Sequence, residues 1–221
     1  MPHGALIVLE GAEGAGKTTQ LGRLASWFSE RGADVETMRE PGGTALGDQI
    51  RRILLDPASD ITARAEALLF MASRAQLVEQ RIRPALARGA VVLLDRFFLS
   101  TYAYQGVGRG LPAEALRQAN AVATEGLVPD LTVLLALPAD VGLARASRRG
   151  ERDRMEQAEL AFHERVARAF VEFATPAWQR AHPECGPIVT VDATRSEDDV
   201  FEAVAAAVGA TWPGSSPAVQ R

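Results

Sequence analysis

The sequence predicts a single α/β domain, a five-stranded parallel sheet with helices on both faces. Three observations lead there. Continuous apolar runs recur at residues 5–10, 90–95 and 131–137, and strands apolar at every position are those buried on both faces. Segments of helical spacing separate them, as parallel strands require. Hydrophobic residues make up 47% of the 221, enough for one buried core, which excludes overall disorder.

Taken in order, residues 5–10 form the first strand and 17–31 a helix that stops at Gly32. A short strand over 34–38 leads to the Pro41-Gly42-Gly43 turn and a helix over 45–55. A long helical segment over 61–87 carries Pro84 near its end and meets a stop at Gly89. After the 90–95 strand a helix follows Leu111-Pro112, and beyond the 131–137 strand residues 138–149 and 157–180 read as helices. Residues 187–192 form the fifth strand, and 196–208 a closing helix with Ser196 and Asp199 as a capping pair. No repeat or linker divides the chain. The domain is expected over 1–210, with 211–221 a disordered tail.

Composition removes several classes. Cys185 is the only cysteine, so no internal disulfide framework exists. The apolar runs fall far short of the roughly 20 residues that span a bilayer. Residues 5–9 are too short for a signal-peptide core, and no cationic stretch precedes them, so a cytoplasmic protein without a membrane partner is expected. A net charge of −4 argues against a nucleic-acid partner. Among 24 basic residues only Lys17 is a lysine, which marks a place where a compact point charge on a flexible stem is wanted.

That lysine stands in Gly11-Ala12-Glu13-Gly14-Ala15-Gly16-Lys17-Thr18, directly after the first strand, with the spacing G-x-x-x-x-G-K-[ST]. Backbone N–H groups of such a loop, and the helix it opens, point at phosphate oxygens. Lys17 would reach the β/γ-phosphates of ATP, and the Thr18 hydroxyl would hold Mg²⁺. A dinucleotide-binding reading fails, because no glycine follows Gly14 and Gly16 at the third position. The fold is therefore expected to be the three-layer P-loop NTPase type. Asp95, at the carboxyl end of the 90–95 strand and followed by Arg96, supplies the carboxylate that Mg²⁺ or its water shell needs.

Three P-loop classes compete. A GTPase reads guanine with Asn-Lys-x-Asp, which cannot occur where Asn120 and Lys17 are the only residues of their types. A DNA-handling ATPase needs a basic face interleaved with aromatics, whereas most arginines here are scattered. The exception is Arg145, Arg148, Arg149, Arg152 and Arg154, five arginines within ten residues around Gly150. They read as a short lid, about 145–157, that brings guanidinium groups to a transferring phosphoryl. A kinase needs such a lid to exclude water.

Five stretches then carry a family resemblance: Leu9-Glu10-Gly11 through Gln20, Arg39 through Thr44, Leu69 through Arg74, Asp95 through Ser100, and Ala103-Tyr104-Gln105-Gly106. With 145–157 they resemble the bacterial thymidylate kinases, P-loop nucleoside monophosphate kinases, up to about Val208. The resemblance implies phosphorylation of dTMP by ATP with Mg²⁺, and a homodimer. It implies that Phe70 stacks on thymine and Arg74 bonds the carbonyl edge of the base. Arg96 and Arg51 would anchor the dTMP phosphate. Thr101 and Gln105 would contact the base, with Pro41 and Ser100 also on the dTMP side, and Tyr104 would pack against the sugar C2′. Glu40 and Asp95 would arrange Mg²⁺, its water and the acceptor. The loop from Gly11 through Thr18, with Thr19, would hold ATP, and Arg145 with the backbone at Ala193 and Thr194 would hold adenine. Lys17, Asp95, Arg96 and Arg149 would carry catalysis.

Two departures stand out. Some members have a basic residue in the phosphate loop where this chain has Glu13-Gly14-Ala15, so Arg149 is expected to supply that cation. Phe97 replaces an aromatic hydroxyl common after Asp-Arg. Alternatives are a kinase of another monophosphate such as dUMP, since one methyl is worth about 1–3 kcal/mol, or a P-loop ATPase switch.

Overall fold

A computed structural model describes residues 4–147 and 153–211. Five parallel strands, β1 (Ala5–Glu10), β2 (Val35–Arg39), β3 (Val91–Asp95), β4 (Leu131–Ala136) and β5 (Ile188–Asp192), lie in the order β2-β3-β1-β4-β5. Every residue of β1 is buried, because the central strand is covered on both faces. Successive side chains point to opposite faces. Leu6 and Val8 therefore join Val92 and Leu94 in one core, while Ile7 and Leu9 join Leu93 and Val133 in the other.

Helix α1 (Lys17–Ser29) covers the second face with Leu21, Leu24 and Phe28, spaced three and four apart, alongside Val200, Val204 and Val208 of the last helix, Glu197–Thr211. The first face is covered by α2 (Ala45–Leu55), α3 (Ala63–Leu77) and later helices. The Thr44 hydroxyl caps α2 by accepting from the Gly47 N–H at 3.0 Å. The 61–87 segment is helical as expected but widens into a π-helical turn over Val78–Ile82 before α4 (Arg83–Ala87). Pro84 has no N–H to donate back along the helix, and the wider turn absorbs the gap.

Elsewhere the boundaries move. The helix expected over 157–180 is two, Leu160–Phe173 and Pro176–Ala181. Pro176 cannot continue the first, and the Thr175 side chain caps the second by accepting from the Trp178 N–H. A helical stretch the sequence reading left unassigned runs through α5 (Phe98–Thr101) and a π-helical segment Tyr102–Gly108. Helix α6 (Ala113–Thr124) follows, and α7 (Ala139–Ala146) comes after β4. Arg148, Arg149 and Arg152 lie outside the described residues, as does the expected tail from 212 onward, whereas Thr211, expected to begin that tail, ends the last helix. Among the described residues no helix is long and apolar enough to cross a membrane.

Candidate active site

The phosphate-binding loop leaves β1 with Gly11, Gly14 and Gly16 at φ 146°, 73° and 88°. Gly14 has a second reason to be glycine: a Cβ there would lie 2.1 Å from the Gly142 carbonyl oxygen. A Cβ on Gly142 would in turn meet the Glu13 carbonyl at 2.3 Å, so α7 packs backbone to backbone against the loop. Nothing local in the sequence announces this pairing, since Gly142 lies 128 residues from Gly14. The Lys17 ammonium folds back over the loop and donates to the Gly11 and Ala12 carbonyls, both at 3.0 Å. Burial and the nearby Arg96 guanidinium lower its pKa to about 8, against the opposing pull of Glu13 and Asp95.

Register places the end of β3 beside this loop, with Leu9 opposite Asp95. The Thr18 hydroxyl donates to Asp95 Oδ2 at 2.9 Å. The next residue, Arg96, takes φ 72°, a left-handed conformation costly for a side chain. Glu10, fully buried at the end of β1, holds that turn: its carboxylate accepts from the N–H groups of Phe97 (2.7 Å) and Ser100 (3.1 Å) and from the Ser100 hydroxyl (2.6 Å). Sequence reasoning took Glu10 for part of a strand. Its one signal was a charge ending an apolar run.

The turn swings Arg96 back over the phosphate loop, where its guanidinium donates to the Gly11 carbonyl (3.1 Å), the Ser100 hydroxyl (2.9 Å) and Glu13 (2.6 Å). The Tyr104 hydroxyl also donates to Glu13, at 3.1 Å. Burial alone would raise the Glu13 pKa, but Arg96 and Lys17 outweigh it and bring it down to about 2.

A cleft of about 240 Å³ runs from Gly14, Gly16, Lys17 and Thr18 to Phe70, Arg74 and Gln105. Glu40, Pro41, Arg51, Asp95, Arg96, Ser100, Thr101 and Tyr104 also line it. Arg51 donates to the Pro41 carbonyl at 3.0 Å. Arg74 is fixed on three sides, by Glu40 (2.7 Å), by the Phe97 carbonyl (2.8 Å) and by Asn120. Its guanidinium also lies 4.8 Å from the Phe97 ring centroid, so that ring packs without a hydroxyl. Gly11, Ala12, Ala15 and Thr19 support the loop and α1 outside the cleft wall, and Arg145 stands apart, donating to the Ala193 carbonyl at 2.9 Å and to Thr194 at 3.5 Å.

A family model for thymidylate kinase matches residues 9–204. The chain belongs to the thymidylate kinase family. The thymidylate kinase of Deinococcus radiodurans is 51% identical over 208 residues, covering 94% of this chain and 98% of that one. That of Thermosynechococcus vestitus is 45% identical over 215 residues, with coverages of 91% and 85%. A crystal structure of thymidylate kinase from Ehrlichia chaffeensis matches with TM-score 0.70 at 29% identity, over 92% of this chain and 97% of that one.

Within this thymidylate kinase fold, the close approach of α7 excludes any side chain at Gly14 unless the helix moves. Of the two described arginines in the segment expected as a lid, Arg145 lies at the end of β5 and Arg154 turns inward to a buried carboxylate, Glu66, at 2.6 Å. Thr18 and Asp95 could together hold a hard cation that keeps most of its water and takes further oxygens from phosphates. Glu40 is 4% exposed; one of its oxygens is taken by Arg74, while Oε1 has no described hydrogen-bond partner. That orphaned acceptor suits a water or substrate donor rather than a direct metal bond.

The depressed Lys17 pKa sets a pH dependence. The ammonium form is the one that would bind a donor phosphate, so kcat/KM for ATP is expected to fall as pH rises through about 8. At saturating ATP the bound phosphates favour the proton, and kcat should hold to higher pH. A basic limb in kcat/KM only near the ordinary lysine pKa of about 10.4 would contradict this.

Proposed function

We propose that the chain catalyses ATP + dTMP → ADP + dTDP with Mg²⁺. The observation that carries the proposal is the continuity of the cleft, which joins the phosphate loop to the Phe70–Arg74 pocket with Arg96 between them. A donor γ-phosphate over Lys17 would face an acceptor phosphate held by Arg96 and Arg51. Phe70 would stack on thymine, and Arg74, Thr101 and Gln105 would read its edge. Tyr104 is 5% exposed and packs beside Phe162 and Phe170, so it forms a stiff wall for the sugar.

The acceptor phosphate is already ionised at neutral pH, so in-line attack needs no strong base. Lys17, Arg96 and Arg149 would neutralise charge as the phosphoryl transfers. Thr18 and Asp95, with Glu40 through water, would hold Mg²⁺, which when bound would supply charge neutralisation at the phosphate oxygens. Arg145, which donates to the Ala193 carbonyl, would hold adenine. ADP formation against a panel of nucleoside monophosphates tests this. Turnover is expected with dTMP, weakly with dUMP and not with the ribose form of TMP. Hydrolysis without an acceptor would overturn the proposal.

The proposal extends to a homodimer in the cytoplasm. Leu68 and Val122, 65% and 82% exposed, stand on the neighbouring helices α3 and α6 and leave apolar surface for a second copy. Light scattering should give twice the 23.7 kDa chain mass, and a monomer would remove the dimer. The single cysteine, buried at Cys185, suits a reducing compartment.

A further inference from the structure

Glu66, Phe70 and Arg74 follow one another at intervals of four along α3 and so share a face. Two of the three belong to the base pocket; the third is a fully buried carboxylate with no role so far. Its Oε1 accepts from Gln105 Nε2 at 2.9 Å and from Arg109 Nε at 3.2 Å. Its Oε2 accepts from Arg109 Nη2 at 3.1 Å and from Arg154 Nη2 at 2.6 Å. Burial would raise the carboxyl's pKa, but hydrogen bonds from Arg109, Gln105 and Arg154 outweigh it, so Glu66 is ionised at neutral pH.

An ionised carboxylate only accepts hydrogen bonds. It therefore admits the Gln105 amide one way round, with Nε2 toward Glu66 and Oε1 turned away. We infer that Glu66 is a positioning residue that makes the acceptor site selective for pyrimidines with an N3–H over those with a bare N3, by holding the Gln105 amide in one orientation. Thymine and uracil donate at N3 and match an acceptor oxygen, whereas cytosine accepts there and does not. The guanidinium groups of Arg109 and Arg154 keep the buried charge paired and Glu66 ionised. Arg154 also ties the 153–156 wall of the cleft to α2, through its N–H to the Leu55 carbonyl (3.0 Å) and its Nε to the Leu54 carbonyl (2.7 Å).

This inference rests on the dTMP kinase reading, and the experiment separates the two. Wild-type enzyme that forms no dTDP would fail that reading alone. Given wild-type activity, kcat/KM is measured for dTMP and dCMP in Glu66→Gln. A neutral amide at 66 both donates and accepts, so Gln105 can flip. The dTMP/dCMP ratio of kcat/KM is then expected to fall about tenfold or more, with KM for ATP unchanged. Glu66→Asp keeps the acceptor-only charge and should retain most of the selectivity. An unchanged ratio in Glu66→Gln, with only a lower melting temperature, would make the residue structural and overturn the inference. Should Glu66→Gln not fold, the double variant Glu66→Gln/Arg109→Met removes a guanidinium along with the charge it needs, and carries the same test.

Discussion

Lys17→Ala is expected to lower kcat by roughly 10³ or more while the protein folds as well as before. The size follows from position. Lys17 is the one lysine of the chain, and its ammonium lies 3.0 Å from two loop carbonyls at the mouth of the cleft. A γ-phosphate there would draw the ammonium off those carbonyls, so its full charge would act in the transition state. The stability result follows from the sign of its pKa shift. A lysine lowered to about 8 is a cation the folded protein holds unfavourably near neutral pH, so removing it should leave the melting temperature equal or higher. Steady-state kinetics beside a thermal melt decide it. Near-normal turnover would remove Lys17 from the phosphate site, and a sharp loss of stability would mean that it braces the loop.

Arg96→Gly should cost roughly 10³ in kcat/KM for dTMP, because one guanidinium spans both halves of the cleft. It touches the Gly11 carbonyl and Glu13 in the loop proposed to hold the donor, and Ser100 on the side proposed to hold the acceptor. Glycine is the informative replacement: it accepts φ 72° without strain, so a lost rate cannot be laid to a distorted backbone. Loss of the guanidinium also removes the largest influence holding Glu13 near pKa 2, and its carboxyl should titrate at higher pH in the variant, visible by carbon NMR. A variant that keeps its affinity for dTMP and its rate would show that Arg96 serves only to neutralise Glu13.

How much of this was legible depends on the range over which each feature acts. Strands β1, β3 and β4 are readable as runs because burial on both faces leaves no alternation, and the phosphate loop because backbone geometry demands glycines at fixed spacing. The break at Thr175–Pro176 was readable too, yet helical spacing on both sides masked it. Glu10 and Glu66 were not legible. Glu10 acts on a turn 87 to 90 residues away, and Glu66 on partners 39, 43 and 88 residues away. A charged residue in an apolar pattern reads locally as a solvated position, and nothing nearby in sequence announces its partners.

By itself, then, the sequence determined the layered α/β fold, the phosphate loop with Lys17 and Thr18, and the family, since each is written in local spacing. Only the tertiary structure decided which charges meet. It turned Arg154 inward to Glu66, set Glu13 against Arg96 and closed Gly14 against Gly142. The reason is physical: a buried charge is tolerated only beside a partner, and that partner is chosen by how the strands and helices pack, not by distance along the chain.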